Sequence, residues 1–200
     1  MYLGVYFDPT LDEERLERFK TMLDTAGPWA RRNACRTLTR AQMVALYDAV
    51  EASGAMSLEH FVPSGEALVE AIHYGKNSLP LFSLFQKRFC RPDGEDPGEA
   101  LWGYNHNDAL VSTVVGHGYF TASLNEKGEM VIDYAKVPPR KPAAWPAITQ
   151  PTDRLGGLVW KGLTDHIRKV TEHVSIGMAF RDGKPEGSYF VLCREDPPVV

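Results

Sequence analysis

The chain has 200 residues, 44% hydrophobic and 24% charged, a balance that excludes a disordered or fibrous polymer and allows one substantial core. A net charge of −4, with basic residues dispersed, argues against binding to nucleic acid or to an anionic membrane surface. No apolar run reaches the roughly 20 residues that span a bilayer, and the amino terminus lacks a secretory pattern, so the expectation is no membrane insertion and a cytoplasmic location.

A chain of this length is expected to fold as a single domain, residues 1–200, burying roughly 70% of its unfolded surface. Cys35, Cys90 and Cys193 are odd in number and far apart, which predicts buried free thiols rather than disulfides or a zinc site.

The first half reads as a helical layer over residues 1–90. Tyr2 to Phe7 suits a short edge strand. Thr10 to Glu13 has capping-box spacing ahead of Leu16, Phe19 and Leu23, and Gly27-Pro28 ends that helix. Trp29 to Asn33 reads as a loop. A second capping box, Thr39 to Gln42, precedes Met43, Leu46, Tyr47 and Val50. Ala67, Leu68, Ala71 and Ile72 predict a third helix, and Phe82, Phe85 and Phe89 a fourth that starts after Pro80. Prolines, glycines and acids between Arg91 and Ala100 then break any regular element.

Residues 101–194 read as sheet-rich. Val111, Thr113 to Val115 and Tyr119 to Thr121 are β-branched or aromatic, and Asn125 to Gly128 makes a reversal into alternating Met130, Ile132 and Tyr134. Facing residues in that hairpin should have numbers summing to about 253, which makes His117 and Asp133 diagonal neighbours. Gly116 and Gly118 interrupt the first strand, as expected for a bulge that opens room beside the sheet. Five prolines from Pro138 to Pro151 make a stiff strap with Trp145 as an anchor. Leu163, Ile167, Val170 and Val174 predict a helix near 163–173, and residues 175–180 and 188–193 a final hairpin.

The fold class expected from these elements is α+β: a curved antiparallel sheet, such as a lipocalin-like half-barrel, covered by helices mainly from the N-terminal half. The leading functional reading is binding of a small, largely apolar or aromatic molecule in a cleft between sheet and helices. Trp102, Tyr104, Asn105, Tyr119, Phe120, Tyr134 and Trp145 are its candidate ligand-binding residues, apolar walls with a few polar points. The alternative is a cofactor-independent isomerase, cyclase or lyase in which His117 acts as general base oriented by Asp133. A third reading is an interaction module in which an exposed sheet edge or a surface patch recruits a partner, a homodimer included. No cofactor and no metal are expected, since none of the six histidines lies at helix-borne ligand spacing.

Overall fold

The computed structural model describes residues 12–50, 56–63, 65–80, 83–94, 100–106, 116–150 and 156–196. Its centre is an eight-stranded antiparallel barrel: β1 Ala71–Asn77, β2 Leu84–Cys90, β3 Ala100–His106, β4 Tyr119–Leu124, β5 Met130–Asp133, β6 Leu163–Lys169, β7 Val174–Arg181 and β8 Lys184–Arg194. Each strand pairs with the next, and β8 returns to β1 through pairs such as Tyr74 with Cys193. The sheet is therefore closed. This corrects the half-barrel expectation, and no edge among the described strands remains for a partner to extend.

Closure follows from three segments whose secondary structure the sequence pattern misassigns. Residues 71–77 and 84–90, expected as the third and fourth helices, are β1 and β2, and 163–169 is β6 rather than a helix near 163–173. The first 90 residues are thus a helical layer only as far as Phe61. In each case the apolar residues fall four apart, as in Phe85 with Phe89 and Leu163 with Ile167. A spacing of four puts two side chains on one face of a helix and also on one face of a strand, so that spacing cannot choose between them. The candidate edge strand at 2–7, the capping residue Thr10 and the run Val111 to Val115 lie outside the described residues.

Three helices cover one outer wall. Helix α1 (Glu13–Thr25) is capped by Asp12, whose side chain accepts from Arg15 N at 2.8 Å. Helix α2 (Pro28–Thr37) occupies what the sequence suggested was a loop: Pro28, which cannot continue α1, fits the first turn of a new helix because it needs no amide donor there. Helix α3 (Arg40–Ala49) has the predicted Thr39–Gln42 capping box. Leu16, Phe19, Leu23, Met43 and Leu46 pack on Val174, Ile176, Val191 and Cys193 of β7 and β8.

Hairpin turns set the barrel register. Asn125 Oδ1 accepts from Lys127 N and Glu129 N, and Gly128 takes φ 74°, which aligns Thr121 with Asp133, one position from the expected pairing. Asp182 (φ 50°) and Gly183 (φ 76°) form a two-residue turn of the primed type, whose twist matches that of the flanking strands. This turn is shorter than the connection expected between strands at 175–180 and 188–193, and β8 gains residues accordingly.

Inside the barrel, three glycines each face a phenylalanine on the next strand: Gly75 opposite Phe85, Gly103 opposite Phe120 and Gly177 opposite Phe190. A β-carbon on any of them would run into the facing ring. The rings therefore lie back against the wall, small beside large, as the interior of a narrow barrel requires. At Gly103 a β-carbon would also sit 2.6 Å from the Arg88 carbonyl oxygen, which is backbone and cannot turn away. Gly103→Ala is expected to lower stability by about 1–3 kcal/mol, the usual cost of overpacking, measured as a lower urea midpoint at unchanged slope.

One end of the barrel is plugged by the short helix α4 (Leu58–Phe61). Phe61 stacks on His73 and packs tilted against Phe89, His73 Nε2 bonds the Phe61 carbonyl at 2.9 Å, and the buried Arg194 guanidinium donates to the Glu59 and His60 carbonyls. Burial drives His60 down to about 2 and His73 down to about 3, with neighbouring cationic groups adding to the effect at both. Both imidazoles stay neutral in the fold, whereas the unfolded chain protonates them below pH 6.5. Stability from this plug is complete above that pH and falls as pH drops from 6.5 toward 3, by about 1.4 kcal/mol per unit for each ring. Urea midpoints measured across this range should decline steeply, and His73→Phe should flatten the decline.

Candidate binding site in the barrel lumen

The inward side chains alternate with outward ones along every strand, and nearly all are apolar: Phe89, Leu101, Phe120, Ala122, Met130, Ile132, Ile167, Phe190 and Leu192 form one continuous core. Four polar residues interrupt it. Lys87 on β2, Asn105 on β3, Tyr134 just after β5 and Asp165 on β6 point inward from four different strands or their ends and meet in the lumen.

Their hydrogen bonds form a closed network. The Lys87 ammonium donates to Asn105 Oδ1 at 2.8 Å and to the Tyr134 hydroxyl at 2.5 Å, and it lies 2.9 Å from Asp165 Oδ2. Tyr134 donates to the same Oδ2 at 2.8 Å and accepts from Asn105 Nδ2 at 3.1 Å. Asn105 is in turn held by the Gly118 carbonyl, at 3.4 Å. Lys87 and Tyr134 thus share one carboxylate oxygen, and among the described residues no donor reaches the other, Oδ1.

Four aromatic rings enclose the ammonium. Its nitrogen stands 5.6 Å from the centroid of Phe85, 5.4 Å from Phe120 and 5.2 Å from both Tyr134 and Phe190. The three phenylalanines are the rings seated over glycines, so the device that fills the wall also builds a cage of π-faces attractive to a cation. Only 3% of the Lys87 side chain and 6% of the Asp165 side chain are exposed. Burial pulls the Lys87 ammonium below its ordinary value, opposed by the Asp165 carboxylate beside it. Burial and the same carboxylate hold the Tyr134 phenol well above its usual range.

The end opposite the plug carries the β1–β2 hairpin and the segment before β6. There Trp160, following the short helix α5 (Gly156–Val159), stacks on Tyr134 at 4.9 Å. Gly118, at φ 53°, makes this approach feasible, because a β-carbon there would stand 2.7 Å from the Trp160 ring. Gly116 similarly admits the Thr149 side chain. The two glycines precede β4 instead of bulging within a strand, and they permit close approach instead of opening a gap. Leu79 and Leu84 are half exposed at the β1–β2 hairpin, Leu84 lining the groove beside Arg32 and Tyr74.

The residues expected from sequence divide between the two sides of the sheet. Asn105, Phe120 and Tyr134 face the lumen. Trp102, Tyr104, Tyr119 and Trp145 form a separate buried cluster on the outer wall beneath the proline-rich strap. In it Tyr104 stacks on Tyr119 at 5.3 Å, Trp145 lies 4.8 Å from Tyr104, and Tyr119 donates to the Pro146 carbonyl at 2.6 Å. Trp145 Nε1 donates to Glu70 Oε2, so the tryptophan does anchor the strap.

His117 and Asp133 also lie on this side. The ladder aligns Asp133 with Thr121, four positions along the chain from His117, which lies before β4. The His117 ring packs edge-on to Tyr104, while the Asp133 carboxylate accepts from Ala135 N at 2.9 Å and pairs with Lys136 at 3.5 Å. Between α2 and the barrel runs a groove of about 370 Å³, lined by Arg32, Arg36, Tyr74, Gln86 and His106 among others; none of the expected ligand residues lies on it.

Sequence reasoning missed Lys87 and Asp165. Each is a single charge flanked two positions either side by apolar residues, Phe85-x-Lys87-x-Phe89 and Leu163-x-Asp165-x-Ile167. That pattern, a charge in the middle of one apolar face of a strand, was the available signal. Among the described residues no group of three His, Cys, Asp or Glu side chains is placed to hold a metal, and no helix is long and apolar enough to cross a membrane. Comparisons with protein-family models, curated proteins and solved structures found no match. The closed antiparallel barrel is consistent with a lipocalin-like architecture and compatible with small-ligand binding.

Removing one member of the ion pair strands the other in an apolar lumen. Lys87→Met or Asp165→Leu should therefore destabilise the barrel by about 3–5 kcal/mol, whereas the two together should restore most of that loss. Denaturant unfolding of the two single variants and the double variant measures this coupling directly.

Proposed function

We propose that the barrel lumen binds one small, largely apolar molecule carrying a single polar group, which meets Lys87, Asp165, Tyr134 and Asn105 at the centre. The observation that carries this reading is the sealed charged pair. Desolvating two ions costs several kcal/mol each, and apolar residues of similar volume generally serve stability as well or better. A charge pair in the middle of a lumen lined by phenylalanine is thus poorly explained by stability and well explained by recognition. Its chemistry resembles that of ligand pockets, where apolar walls supply affinity and a few convergent polar groups supply orientation.

Three further features support it. An eight-stranded barrel has the width either to be filled by its own side chains or to hold one small ligand, and this reading takes the second. Asp165 Oδ1 offers an acceptor for a ligand hydroxyl or N–H, since both of its neighbours use Oδ2. On this reading the ligand enters at the end opposite α4, past Trp160 and the half-exposed Leu79. Phe120, Asn105 and Tyr134 are the sequence candidates that this site retains.

The test uses the stable double variant, in which Lys87 is Met and Asp165 is Leu. An apolar fluorescent dye such as 1-aminoanthracene should bind the native protein with a blue-shifted emission and be displaced by aromatic acids, alcohols or fatty acids. The double variant should lose discrimination among these competitors by about tenfold while remaining folded, the scale expected when one buried polar contact is removed. Absence of dye binding to the native chain, or identical competitor ranking in both proteins, would rule out the lumen as the binding site.

A further inference from the structure

Lys87 is the one buried lysine among the described residues. It is also the one whose nitrogen is held between a carboxylate, a phenol and an aromatic cage. An ammonium so placed is more than a hydrogen-bond donor, because the groups around it are those that condensation of an amine with a carbonyl requires. We propose that Lys87 reacts with an aldehyde or ketone in the lumen to form an imine, so that the ligand class is a small apolar carbonyl compound held covalently and reversibly. This rests on the reading that the lumen admits a small apolar molecule.

The geometry supplies each proton transfer. Asp165 Oδ2, 2.9 Å from the nitrogen, takes a proton from the ammonium, and an ion pair becomes a neutral pair in apolar surroundings. The freed lone pair adds to the carbonyl carbon, and the carbonyl π electrons move to oxygen. Tyr134, whose hydroxyl is 2.5 Å from the same nitrogen, protonates that oxygen and recovers a proton from the nitrogen. The protonated Asp165 then gives its proton to the carbinolamine hydroxyl, which leaves as water while the C=N bond forms. One ammonium and one carbonyl compound yield one protonated imine and one water, with charge conserved and no oxidant or reductant consumed.

The product suits the site as well as the starting lysine does. A protonated imine keeps its positive charge at the nitrogen, where Phe85, Phe120, Tyr134 and Phe190 face it and Asp165 neutralises it. Burial, which pulls the lysine below its ordinary value, raises the share of neutral amine available to react. The substrate's apolar remainder would lie against the phenylalanine wall.

The test reads the native chain, so it does not depend on any variant folding. The protein is incubated at neutral pH with benzaldehyde and sodium cyanoborohydride at limiting label, then digested, and benzylated lysines are located by mass spectrometry. Lys87 should carry label in excess of any exposed lysine by at least about tenfold, a small part of what positioned groups can supply. Prior unfolding in urea should abolish that preference. Label spread over exposed lysines with Lys87 unmodified, while the dye still binds and is displaced by benzaldehyde, overturns the imine and leaves the binding site standing. Failure of both labelling and dye binding removes the lumen reading together with the imine. As a check on chemistry rather than packing, Asp165→Asn should slow labelling of Lys87 and shift its pH profile, and an unchanged profile excludes the carboxylate as proton acceptor.

Discussion

A lysine and an aspartate facing each other across a closed barrel impose the constraint on which the rest of the interior depends. Both charges are removed from water and draw hydrogen-bonding partners in with them: Asn105 and Tyr134 complete the network around Lys87 and Asp165 Oδ2, and the Gly118 carbonyl holds Asn105 in place. Room for four polar side chains in so narrow a barrel comes from setting three phenylalanines back over three glycines. The same rings then face the ammonium. Packing and electrostatics are here one arrangement, since a larger residue at any of those glycines would push a ring into the polar centre.

The two ends of the barrel are built differently. At one, α4 is fastened by Arg194, His73 and Phe61 into a plug whose histidines are kept neutral by burial. At the other, Trp160 covers Tyr134 and is itself held by backbone contacts: Arg181 donates to the carbonyls of Lys161 and Val159, and Asp182 N to that of Gly162. The outer wall is also divided. Helices α1 to α3 cover β7 and β8, and the strap residues with Trp145 cover Trp102, Tyr104 and Tyr119. The outer layers account for most of the aromatic residues that the sequence suggested as a pocket. Aromatic density in the sequence therefore marked a packing seam on one side of the sheet, while the polar centre lay on the other.

Local chemistry was legible in the chain. The Thr39–Gln42 capping box, the Leu16, Phe19 and Leu23 stripe, the Asn125 and Asp182 reversals, and the alternating run of Met130, Ile132 and Tyr134 all depend on neighbours within a few residues. Antiparallel pairing of the second half followed from them. Barrel closure did not, because it needs β1, β2 and β6, and in these strands a polar residue stands where alternation calls for an apolar one: His73, Lys87 and Asp165. The residues that make the centre distinctive erased the strand signal around themselves, leaving pairs four apart that a helix explains equally well.

By itself, then, the amino-acid sequence determined caps, turns and the apolar face of each well-patterned strand, because those are short-range consequences of side-chain shape and hydrogen-bonding capacity. Tertiary structure alone decided that Lys87 meets Asp165, 78 positions further along the chain, and that Tyr104 and Asn105, adjacent in sequence, serve opposite sides of the wall. The physical reason is that a strand sends successive side chains to opposite faces, and a long-range partner is fixed only when the register around the whole barrel is closed.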